Sequence, residues 1–308
     1  MSTWTLADIP ALSGTTALVT GGNSGIGWHT ALELARAGAK VIITSRTSQK
    51  GEGAVAAIKE QVPQARVEYR LLDLANLDSV RRFAEPLADT LTLDLLVNNA
   101  GVMRIPARLA TVDGFERQLA TNFIGPFALT LLLLPALRRS SRPRVTTVSS
   151  VTAAKGKRRI DFDDPQGAHQ YSAKDAYCQS KLADLMLMLE LGRRCQAIGV
   201  PLVSNASHPG WSMTRLQTSG PGRSLNTLEK IAAHWLAQDA AHGALSTLRA
   251  CTEVDSHSGD YYGPTGLLNF KGAPGLLALP APALDKQAAS QLWDRAEQWT
   301  GLCFRQAA

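Results

Sequence analysis

The chain has 308 residues, of which 45% are hydrophobic and 19% charged, a composition that allows a buried core and excludes disorder, collagen and coiled coil. Its formal net charge is +6, and basic residues are concentrated at 138–144 and 155–159, but aromatic residues make up only 6% and neither cluster contains one. A nucleic-acid surface combines basic charge with stacking aromatics or a readable motif. We therefore interpret these clusters as solvated loops and expect no nucleic-acid partner.

Short apolar segments alternate with helical patterns along the first two thirds of the chain. The predicted strands cover residues 16–20, 40–45, 67–72, 93–97, 144–149 and 201–206. The predicted helices cover residues 25–37, 55–62, 77–87, 113–137 and 173–197. Continuous apolar strands separated by helices and short connections are typical of right-handed βαβ units. We therefore predict an α/β fold of Rossmann type, a doubly wound parallel sheet with helices on both faces.

The last third of the chain is less regular and contains more proline and glycine. It predicts, in order, a loop, two helices, a strand, a proline- and glycine-rich stretch and a final helix, at 208–226, 227–238, 239–251, 260–262, 263–282 and 285–300. No repeat or linker divides the sequence, so we predict one domain over 1–308 although the length would allow two. Its parts are expected to be a cofactor-binding core, a substrate lid and a carboxyl-terminal helix, at about 14–206, 207–282 and 283–308.

No segment of the sequence predicts export, membrane insertion or a metal site. Residues 1–14 lack the basic start and apolar run of a signal peptide. The most apolar run, 127–137, has 11 residues, against about 20 needed to span a bilayer. The four cysteines are far apart and the six histidines form no metal-binding pattern. We expect a cytoplasmic protein with reduced cysteines, no membrane anchor and no metal.

A glycine-rich turn, TGGNSGIG at 20–27, follows the first predicted strand and opens the first predicted helix. A dinucleotide pyrophosphate needs small residues here, because the backbone approaches it closely and the N–H groups of the helix bind the anion. The spacing, Gly-x3-Gly-x-Gly, differs from the more familiar Gly-x-Gly-x-x-Gly. We assign the turn to a nucleotide cofactor, held by Gly21, Asn23, Ser24, Gly25, Ile26 and Gly27.

The end of the second predicted strand indicates which dinucleotide binds. Folds that use NAD carry an acid there for the ribose 2′-hydroxyl, whereas this chain has Arg46 and no acid before Glu52. A guanidinium binds a 2′-phosphate through charge-assisted hydrogen bonds, so we favour NADP(H) over NAD(H). Asp73, at the end of the third predicted strand, is placed either to accept from the adenine amine or to cap the next helix, and the sequence leaves both readings open.

Polar side chains with catalytic potential follow later in the chain. Tyr177 and Lys181 share one face of a predicted helix. An isolated tyrosine, with a pKa of about 10, is a poor base at neutral pH, but a nearby ammonium stabilises the phenolate. Ser150, after the fifth predicted strand, is placed to orient a carbonyl, and Asn122, on the 113–137 helix, to hold a water in line with Lys181. Both residues could also have a purely structural role, Ser150 as a helix cap and Asn122 as a polar helix residue.

Taken together, seven segments resemble the short-chain dehydrogenase/reductase family over about residues 14–266. They are TGGNSGIG (20–27), DL (73–74), NNAG (98–101), TNFIG (121–125), VSS (148–150), YCQSK (177–181) and HPGWSMT (208–214). The resemblance implies a catalytic tetrad, Asn122, Ser150, Tyr177 and Lys181. It also implies cofactor contacts outside the glycine turn and Arg46, from Asp73, Leu74, Asn99, Ala100, Gly101, Tyr177, Lys181, Pro209, Gly210 and Thr214.

Within that family the chain is most similar to the retinol-dehydrogenase-like branch, through VSSVTAAKGKRRIDFDD and AYCQSKLADLMLMLELGRR. The gap of 27 residues from Ser150 to Tyr177 also matches that branch. The amino-terminal anchor of its membrane-bound animal members has no counterpart here, and residues 211–282 have their own sequence. Neither membrane residence nor a particular substrate is therefore implied.

Apolar residues after Pro209 predict the kind of substrate. The expected walls of its pocket are Trp211, Met213, Leu216, Tyr261, Tyr262, Leu267, Leu268 and Phe270, although the same residues would equally pack a lid onto the body. We predict an NADP(H)-dependent oxidoreductase that interconverts a lipophilic aldehyde or ketone and its alcohol, with Tyr177 as acid–base. The alternative is a non-catalytic NADP(H)-binding redox sensor. A homo-oligomer stays open, as does whether the 151–176 segment is a surface loop or reaches over the site.

Overall fold

An eight-stranded sheet forms the centre of the part of the chain that the computed structural model describes, residues 3–211 and 238–304. Its strands are β1 (Thr16–Val19), β2 (Lys40–Ser45), β3 (Arg66–Leu71), β4 (Leu95–Asn98), β5 (Arg144–Val148), β6 (Val203–Ser207), β7 (Tyr261–Pro264) and β8 (Pro274–Leu276). They lie in the order β3-β2-β1-β4-β5-β6-β7-β8. All neighbouring pairs are parallel except β7 and β8, which are antiparallel. The predicted doubly wound sheet is confirmed.

Helices cover both faces of this sheet. The longer ones are α1 (Gly25–Arg36), α2 (Ser48–Gln61), α3 (Leu77–Ala88), α4 (Gly125–Leu132), α5 (Leu134–Arg138), α6 (Ala173–Ala197), α7 (Ala240–Thr252) and α8 (Lys286–Thr300). Short helical turns lie at Leu6–Asp8, Arg117–Leu119, Val151–Ala154, Leu267–Asn269 and Ala281–Leu284, and a π-helix at Ala120–Ile124. None of the helices in the described ranges is long and apolar enough to cross a membrane.

The alternating direction of the side chains along each strand divides the core into two clusters, one on each face of the sheet. Successive strand side chains point to opposite faces, so Leu18 joins the cluster that contains α3, α4, α6 and α8. Its neighbour Val19 joins the other cluster, with α1 and α7. Both residues are fully buried, which is why the strands read as continuous apolar runs.

The predicted helix over 113–137 is wrong as a single element. Gly114, at φ +84°, forms a turn before it, and helical structure starts only at Arg117, where the Glu116 side chain accepts from the N–H groups of residues 118 and 119. The backbone widens into the π-helix Ala120–Ile124, then α4 ends and α5 begins with Pro135 in its first turn. A π-helix is often found at a functional site, and this one carries Asn122.

The carboxyl-terminal edge of the sheet differs from the expectation. The strand predicted near 260–262 is β7, but β8 lies inside the stretch predicted only as proline- and glycine-rich. It pairs with β7 through Tyr262, Gly263 and Pro264. Proline is tolerated on such an edge strand because its missing N–H does not interrupt a central ladder.

Candidate active site

The carboxyl ends of β1, β4, β5 and β6 meet at one edge of the sheet, where open α/β folds bind ligands. Several residues predicted to be functional follow these strand ends: the glycine turn after β1, Asn99 to Gly101 after β4, Ser150 after β5, and Pro209 and Gly210 after β6. Parallel strand order thus brings together segments that lie far apart in the sequence.

The turn after β1 is packed so closely against the loop after β4 that neither Gly21 nor Gly27 has room for a side chain. Gly21 has a φ of +64°, and a Cβ on it would lie 3.0 Å from the Ala100 Cβ. A Cβ on Gly27 would overlap the Asn99 side-chain amide. That amide donates to the Thr20 carbonyl at 2.8 Å, and the Thr20 hydroxyl accepts from the N–H groups of Asn99 and Ala100 at 2.9 and 3.0 Å. The turn after β1 and the loop after β4 therefore form one unit.

The amino terminus of α1 faces this turn and suits a pyrophosphate. Ser24 is the N-cap residue, but its side chain makes no capping hydrogen bond, and Gly25 has a φ of +57°. The first N–H groups of the helix thus lack a side-chain acceptor, and together with the helix dipole they favour an anion. Ile26 packs against the apolar cluster beneath, while Asn23 is half-buried in the turn. These residues fit a dinucleotide cofactor.

The end of β2 carries an exposed guanidinium, Arg46. The first acid beyond it, Glu52, lies on α2 and accepts a hydrogen bond from the Tyr69 hydroxyl of β3 at 2.9 Å. Thr44, buried in β2, accepts from the Gly21 N–H at 3.1 Å and so ties this strand to the glycine turn. A cofactor in the turn would therefore extend towards a strand end whose nearest charge is positive.

Asp73 does not cap the next helix, so that alternative is wrong. Its Oδ1 accepts from the Ala75 N–H at 3.0 Å within its own turn, and the N-cap of α3 is Asn76, which accepts from the Ser79 N–H at 3.1 Å. Asp73 is half-buried at the carboxyl end of β3, in keeping with the remaining alternative of an adenine contact. Leu74 is buried, and its carbonyl occupies the space that a Cβ on Gly125 would need.

Asn122 is 2% exposed and every polar atom of its side chain is bonded. Its Oδ1 accepts from the Val102 N–H at 2.8 Å, while its Nδ2 donates to the Val102 carbonyl at 3.0 Å and to the Ser180 hydroxyl at 2.8 Å. The amide thus joins the loop after β4 to helix α6. A Cβ on Gly101 would lie 3.1 Å from Asn122 Oδ1 and 3.6 Å from Lys181 Nζ, so the loop backbone passes directly over both residues.

Lys181 is 5% exposed, and its ammonium is held from two sides. Nζ donates to the Val148 carbonyl at the end of β5, at 2.9 Å, and to Asp184 Oδ2, at 2.8 Å. Burial acts to lower the pKa of Lys181, but the charges of Asp184 and Tyr177 outweigh it, and the pKa of the lysine lies above its ordinary value. Asp184 was not predicted, although its position three residues after Lys181 on a helix is a readable signal.

Ser150 and Tyr177 occupy the open side of the site, and both are half-buried. Ser150 is the N-cap of the turn Val151–Ala154, as expected for the structural role, and its Oγ accepts from the Thr152 N–H at 3.2 Å and hydroxyl at 3.0 Å. Because Ser150 is the acceptor in both bonds, its own proton is left for another partner. Tyr177 lies one helical turn before Lys181 and contributes to the raised pKa of the lysine.

The segment after β6 forms the far rim of the site. Gly210 has a φ of +64°, and a Cβ there would overlap the Phe270 carbonyl, which accepts from the Trp211 N–H at 2.8 Å. Pro209 accepts from the Gln238 side chain at 2.7 Å. Burial lowers the pKa of His208 to about 4, and its Nδ1 accepts from the Gly210 N–H at 3.1 Å. Thr214 lies outside the described residues.

The residues expected to wall an apolar pocket are dispersed, which corrects that expectation. Tyr261 and Tyr262 are core residues of β7, 6% and 1% exposed, because the strand lies inside the sheet. Leu267 and Leu268 are exposed instead. Trp211 and Phe270 do pack together, with ring centroids 5.8 Å apart, while Met213 and Leu216 lie outside the described residues.

The 151–176 segment packs beside the site against the loop that follows β4. The Tyr171 hydroxyl donates to the Ile105 carbonyl at 2.8 Å and accepts from the Gln118 amide at 2.9 Å, and burial raises the pKa of Tyr171 to about 12. Lys155 Nζ lies 5.7 Å from the centroid of the Phe270 ring at the rim. The segment is therefore anchored to the body and reaches the edge of the site. Cavities of about 360 and 180 Å³ beside it are lined by residues of the segment together with residues of α6 and neighbouring elements, and contain none of the tetrad.

Comparison with known proteins agrees with this arrangement. Residues 15–161 match the family model for short chain dehydrogenases. The chain is 38% identical to human retinol dehydrogenase 13 over 298 residues, covering 94% of this chain and 86% of that protein. It is 41% identical to mouse polyprenol dehydrogenase over 260 residues, covering 82% and 76%.

Solved structures also resemble this chain in fold. A crystal structure of an uncharacterized protein from Mycobacterium paratuberculosis aligns with a TM-score of 0.80 at 40% identity, covering 98% of this chain and 99% of that one. A protein from Beutenbergia cavernae assigned as an NAD(P)-dependent gluconate 5-dehydrogenase, with bound NADP, aligns at 0.63 and 26% identity, covering 80% and 94%. The chain belongs to the short-chain dehydrogenase family, resembles its retinol dehydrogenases, and is an NAD(P)-dependent oxidoreductase.

Proposed function

We propose that the protein is an NADP(H)-dependent oxidoreductase that interconverts a lipophilic aldehyde or ketone and the corresponding alcohol. The observation that carries this proposal is the convergence of Lys181, Asn122 and the Gly101 backbone at the carboxyl ends of β4 and β5, with Tyr177 and Ser150 on the open side. A site that only bound the cofactor would have no need of this arrangement.

The residues of the glycine turn would hold the pyrophosphate, and Lys181 the ribose next to the nicotinamide. The bound cofactor supplies the hydride that passes to or from the substrate carbon. Ser150 donates its free hydroxyl proton to the substrate oxygen and so orients it. Tyr177 gives a proton to that oxygen in reduction and takes one from it in oxidation, and the Lys181 ammonium stabilises the phenolate between the two.

The preference for NADP(H) is supported by charge at the end of β2. Arg46 is exposed there, and the carboxylate of Glu52 accepts a hydrogen bond from the Tyr69 hydroxyl. An acid at this position would repel a 2′-phosphate, whereas a guanidinium attracts it. A lipophilic substrate is supported by the Trp211–Phe270 pair at the rim and by the names of the relatives, which act on retinol and polyprenol.

The proposal is tested by following NADPH oxidation against a panel of lipophilic aldehydes, ketones and retinoids. NADH serves as the comparison cofactor. Tyr177→Phe is expected to abolish turnover while leaving NADPH affinity nearly unchanged, because the hydroxyl that moves the proton is lost and the packing of the ring is kept. Turnover retained in Tyr177→Phe contradicts the role assigned to the tyrosine, and tight NADPH binding without turnover on any member of the panel favours the redox-sensor alternative.

A further inference from the structure

A carboxylate lies buried beneath the proposed catalytic lysine. Asp184 is on α6, one turn after Lys181, and is 1% exposed. Its Oδ2 accepts from the Lys181 ammonium at 2.8 Å. Its Oδ1 is buried and has no hydrogen-bond partner among the described residues. Helix α6 thus carries the tyrosine, the lysine and the acid on one face, at spacings of four and three residues.

Stability alone is a poor explanation for this pair. Removing two charges from water costs free energy that their attraction often fails to offset, and packed apolar residues of similar volume serve a core as well or better. A buried oxygen left without a partner adds to that cost. Burial raises the pKa of Asp184 to about 6, yet at neutral pH its carboxylate is still mainly ionised beside Lys181. The pair therefore calls for an explanation in the chemistry of the site.

The geometry of the Lys181 ammonium offers an explanation for the buried pair. A lysine ammonium has three protons. Two of them are donated to the Val148 carbonyl and to Asp184 Oδ2, which fixes the direction of the third. The Gly101 backbone closes over the same nitrogen, since a Cβ there would lie 3.6 Å from Nζ. Removing the carboxylate would release the ammonium to rotate and would leave it as an uncompensated charge.

We propose that Asp184 is a positioning residue for the reaction, whose carboxylate fixes the Lys181 ammonium and keeps the Tyr177–Lys181 pair fully protonated to higher pH than the two residues would be alone. This inference rests on the proposed function in its use of Tyr177 as proton donor during reduction. Its electrostatic part concerns the pair itself and is measurable without a substrate.

The sign of the effect follows from the charge of Asp184. A nearby negative charge opposes the loss of a proton from both the phenol and the ammonium. The two groups titrate as a coupled unit, so neutralising Asp184 lets the first proton leave that unit at lower pH. With the carboxylate gone, a Tyr177 phenolate becomes the anion that compensates the buried ammonium, and we expect the first proton to come from the tyrosine.

Other charged groups do not substitute for Asp184. Among the described residues, Asp184 and Tyr177 are the ionisable groups that raise the pKa of Lys181, and Lys181 is the group that offsets the burial of Asp184. His208, which follows β6, has a pKa lowered by burial alone and is not coupled to the pair. Strand β6, the π-helix and the turn Val151–Ala154, which all pack against α6, contain no charged residue.

The remaining elements around α6 direct their charges elsewhere. Arg144, at the opposite end of β5, donates to the carbonyls of Ala250 and Glu253. Asp294 of α8 binds Arg194, far along α6 from the pair. The other charged residues on these elements, Arg117 of the short helix and Lys286, Arg295 and Glu297 of α8, act on neither member of the pair.

The variant Asp184→Asn tests the proposal, because it removes the charge and keeps the size of the side chain. The matched control is Glu190→Gln, on the same helix, where a carboxylate of a residue 6% exposed pairs with Arg193 and Arg194 outside the site. The alkaline limb of NADPH-dependent reduction is expected to move about one pH unit lower in Asp184→Asn and to stay in place in the control. Should Asp184→Asn fail to fold, judged by circular dichroism, Asp184→Ser replaces it.

A second readout needs no substrate. Tyrosinate absorbance is titrated in the wild type and in Asp184→Asn, and each curve is corrected by subtracting that of the same protein with Tyr177→Phe. The Tyr177 signal is expected to appear about one pH unit lower in Asp184→Asn, and at the wild-type pH in Glu190→Gln.

The outcomes separate the two proposals. A shifted tyrosinate signal without turnover on any substrate supports the role of Asp184 and counts against the proposed function. Turnover with an unmoved alkaline limb and an unmoved tyrosinate signal overturns the role of Asp184 and leaves the proposed function intact. A loss of thermal stability with both pH readouts unchanged means that the carboxylate is structural only, which also overturns the inference.

Discussion

The two sides of the candidate site differ in how firmly their side chains are held. On the inner side, Asn122 and Lys181 are nearly inaccessible, and every polar atom of the two side chains is bonded to a backbone group or to a neighbouring side chain. On the outer side, Ser150 and Tyr177 are half-buried, and Ser150 keeps a hydroxyl proton to donate. The inner side is part of the core, and the outer side remains partly accessible. Substitutions on the inner side should therefore cost both stability and activity, and those on the outer side mainly activity.

Among the variants of the inner side, Lys181→Met is expected to have the largest effect. It leaves the Asp184 carboxylate buried without a cation, which we expect to lower the free energy of unfolding by about 3–5 kcal/mol at neutral pH and to abolish turnover. Urea denaturation and the NADPH assay measure the two effects. Adding Asp184→Leu to the same protein is expected to restore most of the stability and none of the turnover. Wild-type stability in Lys181→Met would mean that the pair contributes nothing to the core.

A second expected effect depends on pH and concerns His208, which follows β6 and is as buried as the inner side of the site. The pKa of His208 is about 4 in the folded protein against 6.5 ordinarily, so the unfolded chain binds more protons in this window. Stability contributed by the neutral ring is complete above pH 6.5 and decreases as the pH falls towards 4, by up to about 3 kcal/mol.

The variant His208→Asn retains an acceptor for the Gly210 N–H and does not titrate. Urea denaturation at several pH values should give a flatter dependence for the variant across this window. Asp184 titrates there with the opposite sign, but it is present in both proteins, so the difference between them isolates the histidine. Parallel curves for the two proteins would contradict the assignment of a buried neutral His208.

On the outer side, Ser150→Ala is expected to reduce activity much more than stability. Loss of the hydroxyl that orients the substrate oxygen is expected to lower kcat about 100-fold. Stability should fall by only about 1 kcal/mol, the usual cost of losing a cap. Ser172→Ala is the control, since Ser172 caps α6 by accepting from the Asp175 N–H at 3.3 Å. Equal losses of activity in the two variants would show that capping alone explains Ser150.

The smallest effect is expected at Arg46, outside the tetrad. Arg46→Ala should raise the KM for NADPH about tenfold through the lost contact with the 2′-phosphate, and leave the KM for NADH unchanged. Lys59→Ala removes an exposed cation from the last turn of α2, the helix that follows Arg46, and serves as the control. An equal rise for both cofactors would contradict the role of Arg46 in choosing NADP(H).

The parts of the site that could be predicted from sequence are those where local pattern and strand order decide the geometry. The glycine turn lies between β1 and α1 as expected, because its small residues are required by the close approach of Ala100 and Asn99. The strand ends that carry Ser150 and Asn99 meet at one edge, because β4, β5 and β6 are parallel to one another.

Other features could not be predicted because they depend on contacts between distant segments. The sequence shows the spacing of Asp184 from Lys181, but the burial of the aspartate depends on the packing of α6 against β5 and β6. Tyr261 and Tyr262 looked suited to a pocket and lie instead within the sheet. Strand β8 contains a proline and a glycine in three residues, a pattern of loops, and exists because β7 offers it an unpaired edge.

Glycine spacing and apolar periodicity are local properties of the chain. They were sufficient to predict the family, the order of strands and helices, and the residues that converge at the sheet edge. Which polar groups are buried, and what they bond to, depends on the tertiary structure. It alone placed Lys181 between the Val148 carbonyl and Asp184, and Asn122 between two segments. Burial and charge pairing arise only when separate elements pack together, and they govern how tightly each side chain holds its proton.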